Sequence, residues 1–190
     1  MSILNWKYFI TLESDLNNIS RYVEICEENY STYSIEFARL ILASCSEIDV
    51  VAKMLCKRIN SKRKCGNIND YRNVITKDEP DFHRFEILIK SNNEIIKPWE
   101  EWKYIDKNPG WWQKYNDIKH ERDINFKEAN LINALYSISG LFAIILCLDI
   151  HEYYSLKLKP LPKLLDLKPE YAVDVLEHVP GKTPYLKYGS

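Results

Sequence analysis

Glycine is scarce in this chain, with five in 190 residues, too few and too scattered for the glycine-rich loops that cradle phosphates. Neither G-x-x-x-x-G-K-[ST] nor G-x-G-x-x-G occurs, and H-E-x-x-H and G-x-S-x-G are missing as well. Their absence removes P-loop nucleotide triphosphatases, nicotinamide enzymes, zinc proteases and α/β-hydrolases from consideration. The five cysteines, Cys26, Cys45, Cys56, Cys65 and Cys147, are odd in number, with no C-x-x-C pair and no histidine at metal-ligand spacing. Four of them fall on apolar stripes, so they read as small buried hydrophobes in a reducing compartment. An excess of one charge is lacking too: 26 Lys and Arg face 27 Asp and Glu, a formal net charge of -1. No global basic field therefore drives nucleic-acid binding, and any such binding rests on a local patch. The N-terminus MSILNWKYF has no cationic region ahead of an apolar run and no small-residue cleavage site, which points to a cytoplasmic protein.

What is present is apolar and aromatic, at 46% and 13% of residues, enough to bury one real core. The spacing predicts an all-α helical bundle. Thr11 is expected to cap a first helix on Leu12, Leu16, Ile19, Val23, Cys26 and Tyr30, with Glu13 and Asp15 in its first turn where the dipole favours them. Ser34 starts a second helix over about Ile35 to Asn60, with a stripe of Ile41, Cys45, Ile48, Ala52, Leu55 and Ile59. Asp49 borders that stripe, and a partly desolvated carboxylate there needs a partner: Lys53 one turn on, or a cation from another element. Glu47 lies about 200° away around the helix, so the two acids cannot face one cation.

From Ser61 to Pro80 the chain turns polar. SKRKCGN is a short basic loop, read as solvated with phosphate contact as the alternative, and Asp70 to Thr76 forms one helical segment. Phe82 to Lys90, then SNNE, then Ile95 and Ile96 predict a small hairpin or extended excursion. Trp99, Trp102 and Tyr104 pack it onto the helices, base stacking being the alternative use of Trp99, Trp102, Trp111 and Trp112. A last helix over about Phe126 to Tyr154 is uncharged from Leu131 to Leu148, the lower edge of a membrane span. Its Asn133, Ser137, Ser139 and Gly140, and the lack of flanking cationic asymmetry, favour a central buried helix and no membrane partner. Asn130, Asn133, Ser137 and Gly140 form one narrow line on it, admitting another helix or bordering a polar cleft. Five of the eight prolines follow Tyr154, so residues 1–154 read as a single helical domain and 155–190 as a Pro-rich arm packed on it, with a short helix near Glu170 to Glu177.

The side chains suited to acid–base and phosphate chemistry gather in Trp111 to Arg122, WWQKYNDIKHER. On a helix Trp112, Asn116, Lys119, His120 and Asp123 share one face, and Trp111, Tyr115, Ile118 and Arg122 the next. An imidazole that exchanges a proton at neutral pH beside cations that hold an anion suits reaction at a phosphate. The plainer reading makes His120 and Asn116 polar tips of a helix end. Lys119, His120 and Arg122 are also the richest source of a partner for Asp49.

These residues carry a resemblance. SEIDVVAK, KPWEEW and above all WWQKYNDIKHERDINFKEANLINALYSISGLF resemble bacterial proteins of the HEPN superfamily, over about Ser34 to Leu148. The resemblance implies an all-α bundle and a metal-independent endoribonuclease, of the kind found in toxin–antitoxin and antiphage systems, with no metal or cofactor. The family's site is an arginine, a polar residue, three further residues and a histidine; here the polar residue is Asn116, the histidine His120, and Tyr115 stands where the arginine belongs. The implied roles are His120 as general acid/base, Lys119 or Arg122 in place of the arginine, Asn116 as orienter, Tyr115 positioning the phosphate and Asp49 supporting from behind. The implied partners are RNA or a nucleotide, a second copy completing the cleft as a homodimer, and an antitoxin or other protein. The alternative is a noncatalytic helical module that binds a nucleotide, nucleic acid or protein. The candidates are thus His120, Asn116, Arg122 and Lys119 for catalysis, with Tyr115, Trp112, Asp49, Glu47, Asn130 and Asn133 for binding.

Overall fold

In the structure, a computed structural model, residues 3–154 and 157–168 are described. They fold as six α-helices and a three-stranded antiparallel sheet: α1 (Ile3–Ile19), α2 (Ile35–Ile59), α3 (Ile68–Asp78), β1 (Ile87–Ile89), β2 (Glu94–Ile96), α4 (Gly110–His120), α5 (Arg122–Asn125), α6 (Leu131–Tyr154) and β3 (Leu165–Leu167). Helix dominates, as the apolar spacing requires.

α6 is the axis. Its stretch Leu131–Asp149 is long and apolar enough to cross a membrane, but 78% of that window is buried inside the fold, packed chiefly on α2 and also on α1. A helix apolar on every side needs neighbours on every side, and here protein supplies them. α2 begins where expected: the Ser34 hydroxyl accepts from the Phe37 amide at 3.1 Å, and Ile41, Cys45, Ile48, Ala52 and Leu55 are buried.

α1 departs from expectation at both ends. It starts at Ile3 and stops at Ile19, so Thr11 caps nothing; it sits mid-helix and donates to the Lys7 carbonyl. The buried series is Trp6, Phe9, Leu12 and Leu16, and Phe9 stacks on Phe142 of α6 with ring centroids 4.8 Å apart. That aromatic contact draws the N-terminal residues into the helix. Beyond Ile19 the chain turns, and Val23 and Ile25 reach the core from a loop. The last helix also starts later than expected: Phe126–Glu128 is a separate 3-10 turn, and the Asn130 side chain accepts from the Asn133 amide at 3.1 Å to open α6.

The excursion is a hairpin, pairing Ile87 with Ile96 and Ile89 with Glu94. Its free edge is taken by β3, in which Leu167 pairs with Ile87 and Leu165 with Ile89. The arm is tied down again by Trp6, whose indole N–H donates to the Pro160 carbonyl at 3.1 Å. Glu13, expected in a first helical turn, is instead buried at 1% exposure, where Oε1 accepts the backbone amides of Leu164 and Leu165. The helix expected near Glu170 to Glu177 lies outside the described residues.

Candidate functional site

α4 is set in place by indoles. At Gly140 the line of small residues on α6 admits α4, one of the two expected uses, and does so through an indole: a Cβ added there would lie 2.9 Å from Cζ2 of Trp111 and 3.6 Å from Cζ2 of Trp99. Both rings are pinned by their N–H groups, Trp111 to the Pro98 carbonyl at 2.7 Å and Trp99 to the Gly140 carbonyl at 3.1 Å. Trp99, Trp102, Trp111 and Trp112 are all buried, so these aromatics pack the core, and of the four only Trp112 borders the cleft between α4 and α2. Asn130 and Asn133, binding candidates by their spacing, serve the start of α6: Asn133 Nδ2 donates to the Glu128 carbonyl at 2.8 Å.

With its indole side anchored, α4 turns Trp112, Tyr115, Asn116 and Lys119 toward α2. They line a cleft of about 470 Å³, whose other walls are Ser46, Asp49 and Lys53 of α2 and Gly66, Asn67 and Ile68 at the entry to α3. Of the face expected to carry Trp112, Asn116, Lys119, His120 and Asp123, the first three front this cleft, joined by Tyr115 from the neighbouring face. The entry to α3 is held by Asn67, whose side-chain oxygen accepts from Asn69 and Asp70 amides at 3.0 and 3.1 Å.

Asp49 does reach the cleft, but its carboxylate is committed elsewhere than to the cations of α4. One oxygen accepts from the Tyr71 hydroxyl and the other pairs with Lys53, the one-turn partner foreseen as the alternative. Burial, and then the facing Asp49 carboxylate, push the Tyr71 phenol well above its usual range, so it remains a neutral donor. Lys119 makes no ion pair among the described residues and rests 5.5 Å from the centroid of the Tyr115 ring. Asn116 donates to the Trp112 carbonyl at 3.2 Å. Tyr115 is 7% exposed; it is a wall of the cleft more than an arm within it.

His120 ends α4, is exposed, and makes no hydrogen bond or ion pair among the described residues. It is absent from the cleft walls. The helix breaks at Glu121, with φ -138 and ψ 52, so Arg122 and Asp123 belong to the short α5 and do not continue the faces of α4. Arg122 is exposed on that next turn. Glu47 stands outside the cleft, half-buried, with burial raising its carboxyl pKa. No group of three or more His, Cys, Asp or Glu side chains gathers at metal-binding distance among the described residues. No family model, curated protein or solved structure matches this chain.

The phenol behind Asp49 and one wall residue escaped sequence reasoning. Tyr71 is separated from Asp49 by the whole polar loop, and nothing in its local pattern marks it as the acid's partner. Asn67 carried a visible signal, an Asn ahead of a helical segment. Beside the Asp49–Lys53 pair the cleft offers the Lys119 ammonium, the amides of Asn67 and Asn116 and the Ser46 hydroxyl, a set that holds an anion, while the group able to move a proton sits one residue beyond it at the open end of α4.

Proposed function

We propose that this is a HEPN-like helical protein that binds RNA and cleaves it without a metal. The observation that supports this best is the open imidazole of His120, unengaged at the end of the helix whose Lys119 and Asn116 face the α2–α4 cleft. In this reading His120 takes the proton of a ribose 2′-hydroxyl; the alkoxide attacks the adjacent phosphorus and expels the 5′-oxygen, leaving a 2′,3′-cyclic phosphate and a 5′-hydroxyl. Lys119 supplies the positive charge that the family's arginine supplies, with Arg122 from the next turn as a second source. A single chain offers one such histidine. A homodimer brings a second, which protonates the departing oxygen.

The test is incubation of the purified protein with total RNA in chelator, with His120→Ala alongside. Cleavage by the wild type, lost in a variant of unchanged melting temperature, is the expected result; equal decay with both rejects it. The second reading, a noncatalytic RNA- or nucleotide-binding module, draws on two features: Tyr115 is buried at the arginine position, and His120 lies outside the cleft walls. Binding by the wild type without any His120-dependent cut selects it.

A further inference from the structure

The charge of this nearly neutral chain is unevenly laid out. Between Val50 and Asn69 there are six cations, Lys53, Lys57, Arg58, Lys62, Arg63 and Lys64, and no carboxylate, which leaves 20 Lys and Arg against 27 Asp and Glu elsewhere. Structure separates the six by use. Lys53 is paired with Asp49, and Arg58 donates to the carbonyls of Cys147 and Leu148, holding the end of α2 to α6. The other four are exposed and make no ion pair among the described residues. Lys57 stands on the last turn of α2, and the turn that presents the other three is built by Asn60, whose side chain accepts from Lys62 N and whose carbonyl accepts from Arg63 N, both at 3.2 Å.

This basic ridge stands between two hollows. On one side Gly66 and Asn67 continue directly into the α2–α4 cleft; on the other a groove of about 240 Å³ is lined by Asn60, Arg63, Asn73, Lys77 and Asp78. The nearest following acid, Asp70, is turned back onto the loop, accepting from Gly66 N at 3.0 Å and Asn67 Nδ2 at 2.9 Å, so it shapes the ridge. Cations alone fit a membrane as well as a polyanion, but membrane docking needs an apolar face beside them. None of the exposed large hydrophobic side chains falls between Arg58 and Asn67.

We propose that Lys57, Lys62, Arg63 and Lys64 form the phosphate track of this protein, receiving single-stranded RNA and leading its backbone past Gly66 and Asn67 into the cleft. The inference rests on the RNA-cleaving reading above and extends it by placing the strand. A single strand is the fitting form because in-line attack by a 2′-hydroxyl requires a nucleotide free to leave the A-form stack. Cations that meet only phosphate set affinity and salt dependence and carry no sequence preference.

The experiment is anisotropy of a fluorescein-labelled oligouridine with the full chain in chelator over a salt series, comparing the wild type with Lys62→Ala/Arg63→Ala/Lys64→Ala. A second triple variant at exposed cations elsewhere, Lys7→Ala/Arg21→Ala/Lys163→Ala, controls for net charge. The track variant is expected to bind at least about tenfold more weakly at low salt, and its slope of log K against log salt to fall by about 2, at roughly 0.7 for each phosphate no longer neutralised. The control should stay within about twofold of wild type. Should the track variant match the control while RNA is still cut through His120, the track is wrong and the ribonuclease stands. Failure of the folded wild type to bind or cut RNA overturns both, and so does binding of phosphatidylserine vesicles in place of the oligonucleotide.

Discussion

Replacing Gly140 by alanine sets two known effects against each other. In an open helix Gly→Ala stabilises by about 1 kcal/mol, because glycine costs more backbone entropy to order. At Gly140 the new methyl would stand 2.9 and 3.1 Å from Cζ2 and Cη2 of Trp111 and 3.6 Å from Trp99, so the first ring must retreat by about half an ångström to reach ordinary contact. It cannot do so freely, because the Trp111 N–H is held at 2.7 Å by the Pro98 carbonyl and its edge packs on Trp99 with centroids 5.1 Å apart. Overpacking of this kind costs about 1–3 kcal/mol, and a weakened indole hydrogen bond adds about 1. The net expectation is a loss of about 1–3 kcal/mol, roughly 2–12 °C in Tm for a chain of this length. Urea unfolding of Gly140→Ala measures it directly. Gly66→Ala, where a Cβ meets nothing within 4 Å, is the matched control and should be neutral or slightly stabilising. A Gly140→Ala protein as stable as wild type, or more so, would refute the idea that α4 is seated by indole packing. Adding Trp111→Phe should recover part of the loss, with a coupling above about 0.5 kcal/mol.

Glu13→Ala removes the acceptor of two buried amides and should cost about 2 kcal/mol; hydrogen exchange at Leu164 and Leu165 should accelerate, and Glu13→Gln, which keeps an oxygen, should lose less. Unchanged protection in Glu13→Ala would show that the arm is held by β3 alone. At Glu86 burial pulls the carboxyl pKa upward, but Lys97 at 2.7 Å and Lys168 at 3.0 Å more than reverse that, leaving it below its ordinary value. Its contribution is thus complete above the unfolded carboxyl pKa of about 4.3 and disappears as pH falls through the lower folded value. Stability curves from pH 6 down to 3 should therefore fall less steeply for Glu86→Gln than for wild type; parallel curves would mean that the three charges are not coupled.

The histidine question separates from these. His120→Ala removes an exposed side chain that no described residue engages, so stability should move by less than about 0.5 kcal/mol. Any loss of RNA cleavage in that variant is then chemistry and not folding. The same separation holds at the basic ridge, whose cations are exposed at the end of α2 and on the turn after it.

Local pattern was sufficient for α2, for the core of α6 and for the hairpin, though not for the bounds of α1. The Ser34 cap and the stripe from Ile41 to Leu55 define α2, the uncharged run from Leu131 makes α6 a core helix, and the SNNE turn between apolar runs makes a hairpin. These are readable because helix and strand repeat over a few residues, and periodicity is a local property. The face Trp112–Asn116–Lys119 was legible for the same reason. Everything that depended on a partner far along the chain was hidden. Glu13 looked like a first-turn acid until the arm brought Leu164 and Leu165 to it, and Asp49 looked open to α4 until Tyr71 arrived from α3. Gly140 reads as a helix-packing position, and the pattern does not tell that α4 meets it through the Trp111 indole with Trp99 alongside. The break at Glu121 parted Arg122 from the face it shared on a helical wheel. Such a wheel says which side chains point the same way; which of them meet another element, and which stay in water, depends on packing that no local pattern contains.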